Sequence, residues 1–222
     1  MKAKVDDLFS LKYYHASLSD EDLKLIEASI DPDTKTYDAL SGGATGASSF
    51  SSSYTGLLAP EDWKNDTGNT LINVLDFSKV ILKHADEYLQ LASKRKQYFD
   101  LTMGDCWLNK YEKGDSQELH HHCGPVSNFS GCIFLKFDKE KDAKFAFYNH
   151  NLTDYTNWYN MLCFSETAEW VYPDVSQGDI ILFPSTAWHQ VGRQQESTVR
   201  MTLSFNFDVI PHCDPQPLPA SP

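Results

Sequence analysis

Three of the chain's eight histidines stand together in the run Glu118-Leu119-His120-His121-His122-Cys123. In an extended strand, residues two apart share a face, so Glu118, His120 and His122 project one way while His121 and Cys123 project the other. Two imidazoles at that spacing can reach one ion. Imidazole serves Fe, Zn, Cu and Ni alike, so the spacing does not choose the metal. Further on, Gly178-Asp179-Ile180-Ile181-Leu182-Phe183-Pro184 reads as a glycine turn into a buried strand closed by proline, with Trp188-His189 five residues later. His189 is therefore expected at a strand exit, where ligands project.

The segment from Thr198 to Phe207 alternates without a break. Val199, Met201, Leu203, Phe205 and Phe207 take one face, and Arg200, Thr202, Ser204 and Asn206 take the other. An arginine among small polar residues presents a guanidinium whose fork matches a carboxylate bidentately. Two bland alternatives stand beside these readings: a histidine run on a solvated turn, and an arginine on the wet face of an edge strand. Against both, a two-histidine strand, a lone histidine and then an arginine occur in the order that one metal-plus-carboxylate site needs.

Elements must position these groups. Ser19 followed by Asp20, Glu21 and Asp22 is an N-cap with an acidic first turn, and Leu23, Ile26 and Ile30 continue at helical spacing, predicting a helix over 20–30. The Gly- and Ser-rich run from Asp31 to about Thr55 has no period and predicts a long loop, either a lid or binding segment or an unstructured connector. An apolar stripe of Leu71, Val74, Leu75, Ile81, Leu82, Ala85 and Leu89 predicts the principal helix over 70–94, packed outside a sheet. Beyond Tyr98 the pattern becomes short alternating runs, predicting strands at 102–112, 130–137, 144–149, 168–172, 179–183 and 198–207. Helices followed by strands with no βαβ rhythm imply a mainly β (α+β) sandwich or barrel with helices outside. The length suits one domain over 1–222, with 1–100 as helical support carrying a flexible loop at 31–56, 101–210 as the β core and 211–222 as a tail.

Composition excludes some roles. A formal charge of −12 leaves no basic patch to track a phosphate backbone, so nucleic acid is not the expected partner. No run approaches a membrane span, and the N-terminus MKAKVDDLFSLKYYH carries charges where a secretory core would be, so a cytoplasmic protein with no membrane partner is expected. Five cysteines without CxxC spacing read as reduced thiols.

Taken together, Trp107-Leu108-Asn109-Lys110-Tyr111, Gly114-Asp115, His120-His121-His122, Ser130-Gly131 and the block from Ile181 to Asn206 resemble the Fe(II)/2-oxoglutarate oxygenase superfamily, in particular the oxygenase group of bacteria and marine phages. The resemblance implies a double-stranded β-helix of the jelly-roll or cupin-like kind, Fe(II), 2-oxoglutarate and O2 as cofactors, and hydroxylation of a small-molecule or peptide substrate. A phage-encoded chain would act in the host cytoplasm. By position, His120 and His189 would be iron ligands and catalytic, and Arg200 would anchor the distal carboxylate of 2-oxoglutarate, with Thr202 or Ser204 assisting. Asn109 and Tyr111 would make further co-substrate contacts. Where most of the superfamily has Asp or Glu, this chain has His122. Three-histidine ligation is favoured; otherwise Glu118 or Asp115 supplies the third ligand, or His122 contacts a ligand or the substrate. Two rivals remain. Gly114-x5-His120-x-His122 and Gly178-x5-Pro184 with His189 also resemble the half-motifs of a cupin not using 2-oxoglutarate, and His120, His122 and Cys123 could hold a structural zinc.

Overall fold

The computed structural model describes residues 11–30, 48–52, 74–92, 99–124, 127–149 and 169–211. Among the described residues ten strands form two sheets, and every pairing there is antiparallel. The larger sheet contains β1 (Tyr14–Ser17), β2 (Ser48–Ser52), β3 (Phe99–Tyr111), β5 (Phe129–Lys136), β8 (Asp179–Pro184) and β10 (Arg200–Pro211), in the order β1-β8-β5-β10-β3-β2. The smaller contains β4 (Gln117–His120), β6 (Phe145–Tyr148), β7 (Trp170–Val171) and β9 (His189–Val191), in the order β4-β9-β6-β7. Side chains from both sheets meet in one interior, the arrangement of a double-stranded β-helix.

Among the described residues, α1 (Asp20–Ala28) and α2 (Val74–Ala92) fall within the stretches that the Ser19 cap and the apolar stripe predict, while 70–73 and 93–94 of the second expected helix lie outside the described residues. The Ser19 hydroxyl accepts the Asp22 N–H at 3.1 Å, and the three acidic residues behind it meet the positive end of the α1 dipole. Phe77, Ile81, Ala85 and Tyr88 of α2 are buried at i, i+4 and i+3 steps against the outer face of the larger sheet. The Tyr14 hydroxyl lies 2.8 Å from His84 Nδ1 and donates to Glu87 at 2.7 Å, and the Tyr88 hydroxyl donates to the Lys12 carbonyl at 2.8 Å, pinning α2 to β1. Among the described residues no helix is long and apolar enough to cross a membrane.

The first hundred residues contribute more than helical support, because β1 and β2 complete the two edges of the larger sheet. β2 lies inside the stretch expected to be loop. An edge strand pairs through backbone groups alone, so a serine run with no apolar alternation can still add to β3. Residues 31–47 and 53–56 of that expected loop, and the expected tail from 212 onward, lie outside the described residues.

Both faces of β10 are buried. Leu203, Phe205 and Phe207 join the outer core with Leu108, Ile133, Ile180 and Leu182, while Arg200, Thr202 and Ser204 face the interior. The interior core joins Tyr111, Cys132, Phe134, Ile181 and Phe183 of the larger sheet to Phe145 and Val191 of the smaller. β10 runs between β5 and β3, which removes the wet-edge reading of Arg200. At the centre, Gly131 stands opposite Phe205 on one side and Leu182 on the other. A Cβ there would collide with Leu182 Cδ2 and come within 2.6 Å of both the Ile181 carbonyl oxygen and Phe205 Cε2. Gly131→Ala is accordingly expected to destabilise the fold by about 1–3 kcal/mol, measured by denaturant unfolding.

Candidate metal and anion site

His120 closes β4 directly opposite His189, which opens β9, so cross-strand register brings the two imidazoles together with ring centroids 4.3 Å apart. His189 thus starts the strand after β8, separated from it by the turn at 185–188, rather than ending β8 itself. The strand carrying the histidine run stops at His120, yet His122 still turns to the same side because its N–H is held by the Ser185 carbonyl at 2.9 Å. Nε2 of His120 and Nε2 of His122 lie 3.1 Å apart, and the ligand nitrogens of His120, His122 and His189 all fall within 4.8 Å of one another. Two imidazoles bound at right angles to one ion at ~2.1 Å would hold their nitrogens ~3.0 Å apart, so the His120–His122 pair already has the spacing of neighbouring ligands. His121 faces away, edge-on to Trp188 at 4.4 Å.

Each of the three inner histidines has its Nδ1 against an oxygen. His120 Nδ1–H donates to the Glu118 carbonyl at 2.8 Å, His189 Nδ1–H to the Ala187 carbonyl at 2.9 Å, and His122 Nδ1–H to Asn206 Oδ1 at 2.8 Å. An oxygen that can only accept fixes the proton on Nδ1 and leaves the Nε2 lone pair exposed. In that tautomer the Nε2 lone pairs of the three rings face one another, a donor set that a cation would fit. Burial favours the neutral rings: it pushes His122 down to about 4, and it holds His189, which is packed against Phe145 and Phe183, well below the ordinary histidine range. Neutral imidazole is the form that ligates a metal.

These shifts have a consequence for the metal-free protein. Below pH ~6.5 the unfolded chain takes up a proton on His122 while the folded chain does not until about pH 4, and His189, also held below the ordinary range by burial, adds to the difference. Stability should be greatest above pH ~6.5 and fall as pH drops toward 4, by a few kcal/mol in total, as read from denaturant midpoints across that range.

Arg200 is fully buried, the largest such side chain among the described residues. Its Nε, Nη1 and Nη2 have no hydrogen-bond partner among them. The guanidinium carbon lies 4.7 Å from the Tyr111 ring centre, 5.5 Å from that of Phe134 and 5.6 Å from that of Phe137. Ring faces offset a small part of the cost of burying a cation, and donors in a fixed fork remain unanswered. Burial pushes both the Tyr111 phenol and the Cys132 thiol up to about 12, so neither neighbour supplies a counter-charge. A carboxylate is the ligand such a fork fits.

The other expected residues gather nearby. Thr202 and Ser204 follow Arg200 along the interior face of β10, Asn109 lies opposite Thr202 on β3 and donates to the Ser204 hydroxyl at 2.9 Å, and Tyr111 stands opposite Arg200. The Asp115 carboxylate accepts the Glu112 N–H at 2.8 Å in the turn before β4, and neither it nor Glu118 enters the metal-ligand cluster. Cys123 is exposed and outside that cluster too, which removes the structural-zinc grouping of His120, His122 and Cys123. Two supporting residues had no assigned role in the sequence. Asn206, on the expected polar face, accepts from the His122 ring. Gln194 is buried at the start of the approach to β10, bonding Asp142 at 2.7 Å, the Thr198 hydroxyl at 2.8 Å and the Ala143 N–H at 2.6 Å. A lone glutamine in a loop gives no sequence signal of such a role.

Residues 105–206 match the family model described as "Putative 2OG-Fe(II) oxygenase", and the matched span contains all three inner histidines and Arg200. No match was found among curated proteins. Among solved structures, the chain is similar to an oxidoreductase of the 2OG-Fe(II) oxygenase family from Burkholderia pseudomallei (TM-score 0.56, 13% identity, 88% of this chain and 84% of that one). It is also similar to a Pseudomonas putida prolyl-4-hydroxylase (0.53, 11%, 88% and 91%). HygX from Streptomyces hygroscopicus, solved with nickel and 2-oxoglutarate bound, gives 0.53, 10%, and 88% and 82%. At these identities the likeness to solved structures is one of fold.

Proposed function

We propose that the chain, whose residues 105–206 match a family model of 2OG-Fe(II) oxygenases, couples the decarboxylation of 2-oxoglutarate to the hydroxylation of a C–H bond in a small-molecule or peptide substrate. The observation that carries this reading is the buried, unanswered guanidinium of Arg200 on the same strand face as Asn206, which holds a ring of the metal cluster. A dicarboxylate offers one end to a metal and the other to an arginine. His120, His122 and His189 would hold Fe(II) through Nε2, with His122 taking the place of the usual carboxylate. Fe(II) and 2-oxoglutarate, when bound, supply O2 activation: one oxygen atom goes to succinate as CO2 leaves, and the other goes to the substrate.

The chain's own contribution is binding, orientation and exclusion of water. Arg200 would bind the distal carboxylate with charge-assisted hydrogen bonds, and the hydroxyls of Thr202 and Ser204 offer further donors beside it. Asn109 keeps the Ser204 hydroxyl in place, and Tyr111, neutral and buried, supports the guanidinium from below. The aromatic rings of Phe145, Phe147 and Phe183 around His189 keep that flank of the site dry.

A cupin that does not use 2-oxoglutarate would share the barrel and the histidines, but it leaves a buried cation with nothing to bind. Adding Fe(II) and 2-oxoglutarate under air separates the two. Succinate formation above a metal-free control is expected, and none across a range of iron and 2-oxoglutarate concentrations would favour the cupin. Similarity to a prolyl-4-hydroxylase supports a peptide or small-molecule substrate, and the chain's acidity disfavours nucleic acid.

A further inference from the structure

We propose that a one-way chain of hydroxyl groups, Ser127 to Ser185 to Ser130, ending on the Asn206 amide oxygen, is the positioning device that presents His122 as a metal ligand where a carboxylate is usual. The proposal rests on the reading of His120, His122 and His189 as a metal site. Its direction follows from counting protons. The Ser130 hydroxyl donates to Asn206 Oδ1 at 2.7 Å, which uses its only proton. Its 3.0 Å contact with the Ser185 hydroxyl must then be donated by Ser185. With that proton used, the 2.8 Å contact between Ser185 and Ser127 must be donated by Ser127.

Every proton in the chain therefore points toward the Asn206 amide oxygen, whose second lone pair receives the His122 Nδ1–H at 2.8 Å. A chain polarised in one direction strengthens its last acceptor. The acceptor in turn keeps the His122 proton on Nδ1 and its Nε2 free. A carboxylate ligand needs no such arrangement, because it has no tautomer to choose. A histidine does, since a proton on Nε2 would point at His120 Nε2, 3.1 Å away, and close the site.

The device is built into rigid parts of the fold. Ser130 and Ser185 are almost wholly buried, and Asn206 stands opposite Ser130 in the β5–β10 register. Ser185 also grips His122 through its backbone, accepting the His122 N–H while its own N–H donates to the Asn128 carbonyl at 3.1 Å. One residue thus sets both where the His122 main chain lies and which way its ring is protonated.

Two measurements test this on the full chain. In metal-free protein, nitrogen NMR of the histidine rings should show the His122 proton on Nδ1; a proton on Nε2 would overturn the proposal. Ni(II) binding, measured by titration, should weaken about 10–100-fold in Asn206→Ala, the range for groups that orient a ligand. It should weaken less in Ser130→Ala, and in Asn206→Asp, which keeps the acceptor, it should stay within a few-fold of the parent. Parental Ni(II) affinity in both Asn206→Ala and Ser130→Ala would overturn it, and Ser130→Ala gives this comparison even where Asn206→Ala folds poorly. Failure of the unaltered chain to bind Ni(II) at these histidines would instead overturn the metal-site reading.

Discussion

Replacing Arg200 with methionine is expected to have two opposite effects: the metal-free, ligand-free protein becomes more stable, and 2-oxoglutarate affinity falls by two to three orders of magnitude. The first follows from the guanidinium's present state, buried with Nε, Nη1 and Nη2 unanswered among the described residues. Removing a buried charge in favour of an apolar side chain of similar volume is often neutral or stabilising by about 1–4 kcal/mol. Methionine would keep contact with Tyr111, Phe134 and Phe137 while removing the desolvation penalty. The second follows because a bound carboxylate would then lose the full counter-charge of the guanidinium, a loss of about 3–5 kcal/mol. A thermal melt and a 2-oxoglutarate titration check the pair. A residue held in place only by packing would lose stability and leave affinity unchanged.

His189→Ala is expected to abolish metal binding in practice, with affinity falling by more than the ~100-fold associated with groups that merely orient ligands. Among the described residues this ring is one of three whose nitrogens converge, and it is the most deeply buried of them, enclosed by Phe145, Phe147 and Phe183. Among the described residues no other His, Cys, Asp or Glu joins this group of three. The same change leaves a cavity among those rings and frees the Ala187 carbonyl, so the metal-free fold should lose about 1–3 kcal/mol as well. Added free imidazole, which fits the cavity, should restore part of the metal affinity without restoring the backbone bond. Isothermal titration with and without imidazole checks this, and unchanged affinity in the variant would remove His189 from the ligand set.

Much of this site is written in local pattern. Strict alternation from Arg200 to Asn206 places four polar side chains on one face, and that face is the interior. Spacing of two between His120 and His122 brings their rings together, although the strand itself ends at His120. What local pattern could not supply is long-range pairing. β1 and β2 pair with β8 and β3 from far away in the chain, and a four-residue strand or a serine-rich edge carries too little apolar alternation to announce itself. The direct opposition of His120 and His189 is likewise a matter of register between β4 and β9, separated by nearly seventy residues. Asn206 was legible as a polar position on β10 but not as the acceptor for His122, because that role depends on Ser130 and Ser185 meeting it from other strands and turns.

Three imidazoles and one guanidinium would address a single ligand in one hollow, and thermodynamic linkage is the sharpest test of this arrangement. With Ni(II) as a redox-stable stand-in, 2-oxoglutarate should bind much more tightly to the metal-loaded protein than to the metal-free protein, and Ni(II) should be tightened by 2-oxoglutarate by the same factor. Equal 2-oxoglutarate affinity with and without metal would mean that the histidines and Arg200 serve different ligands.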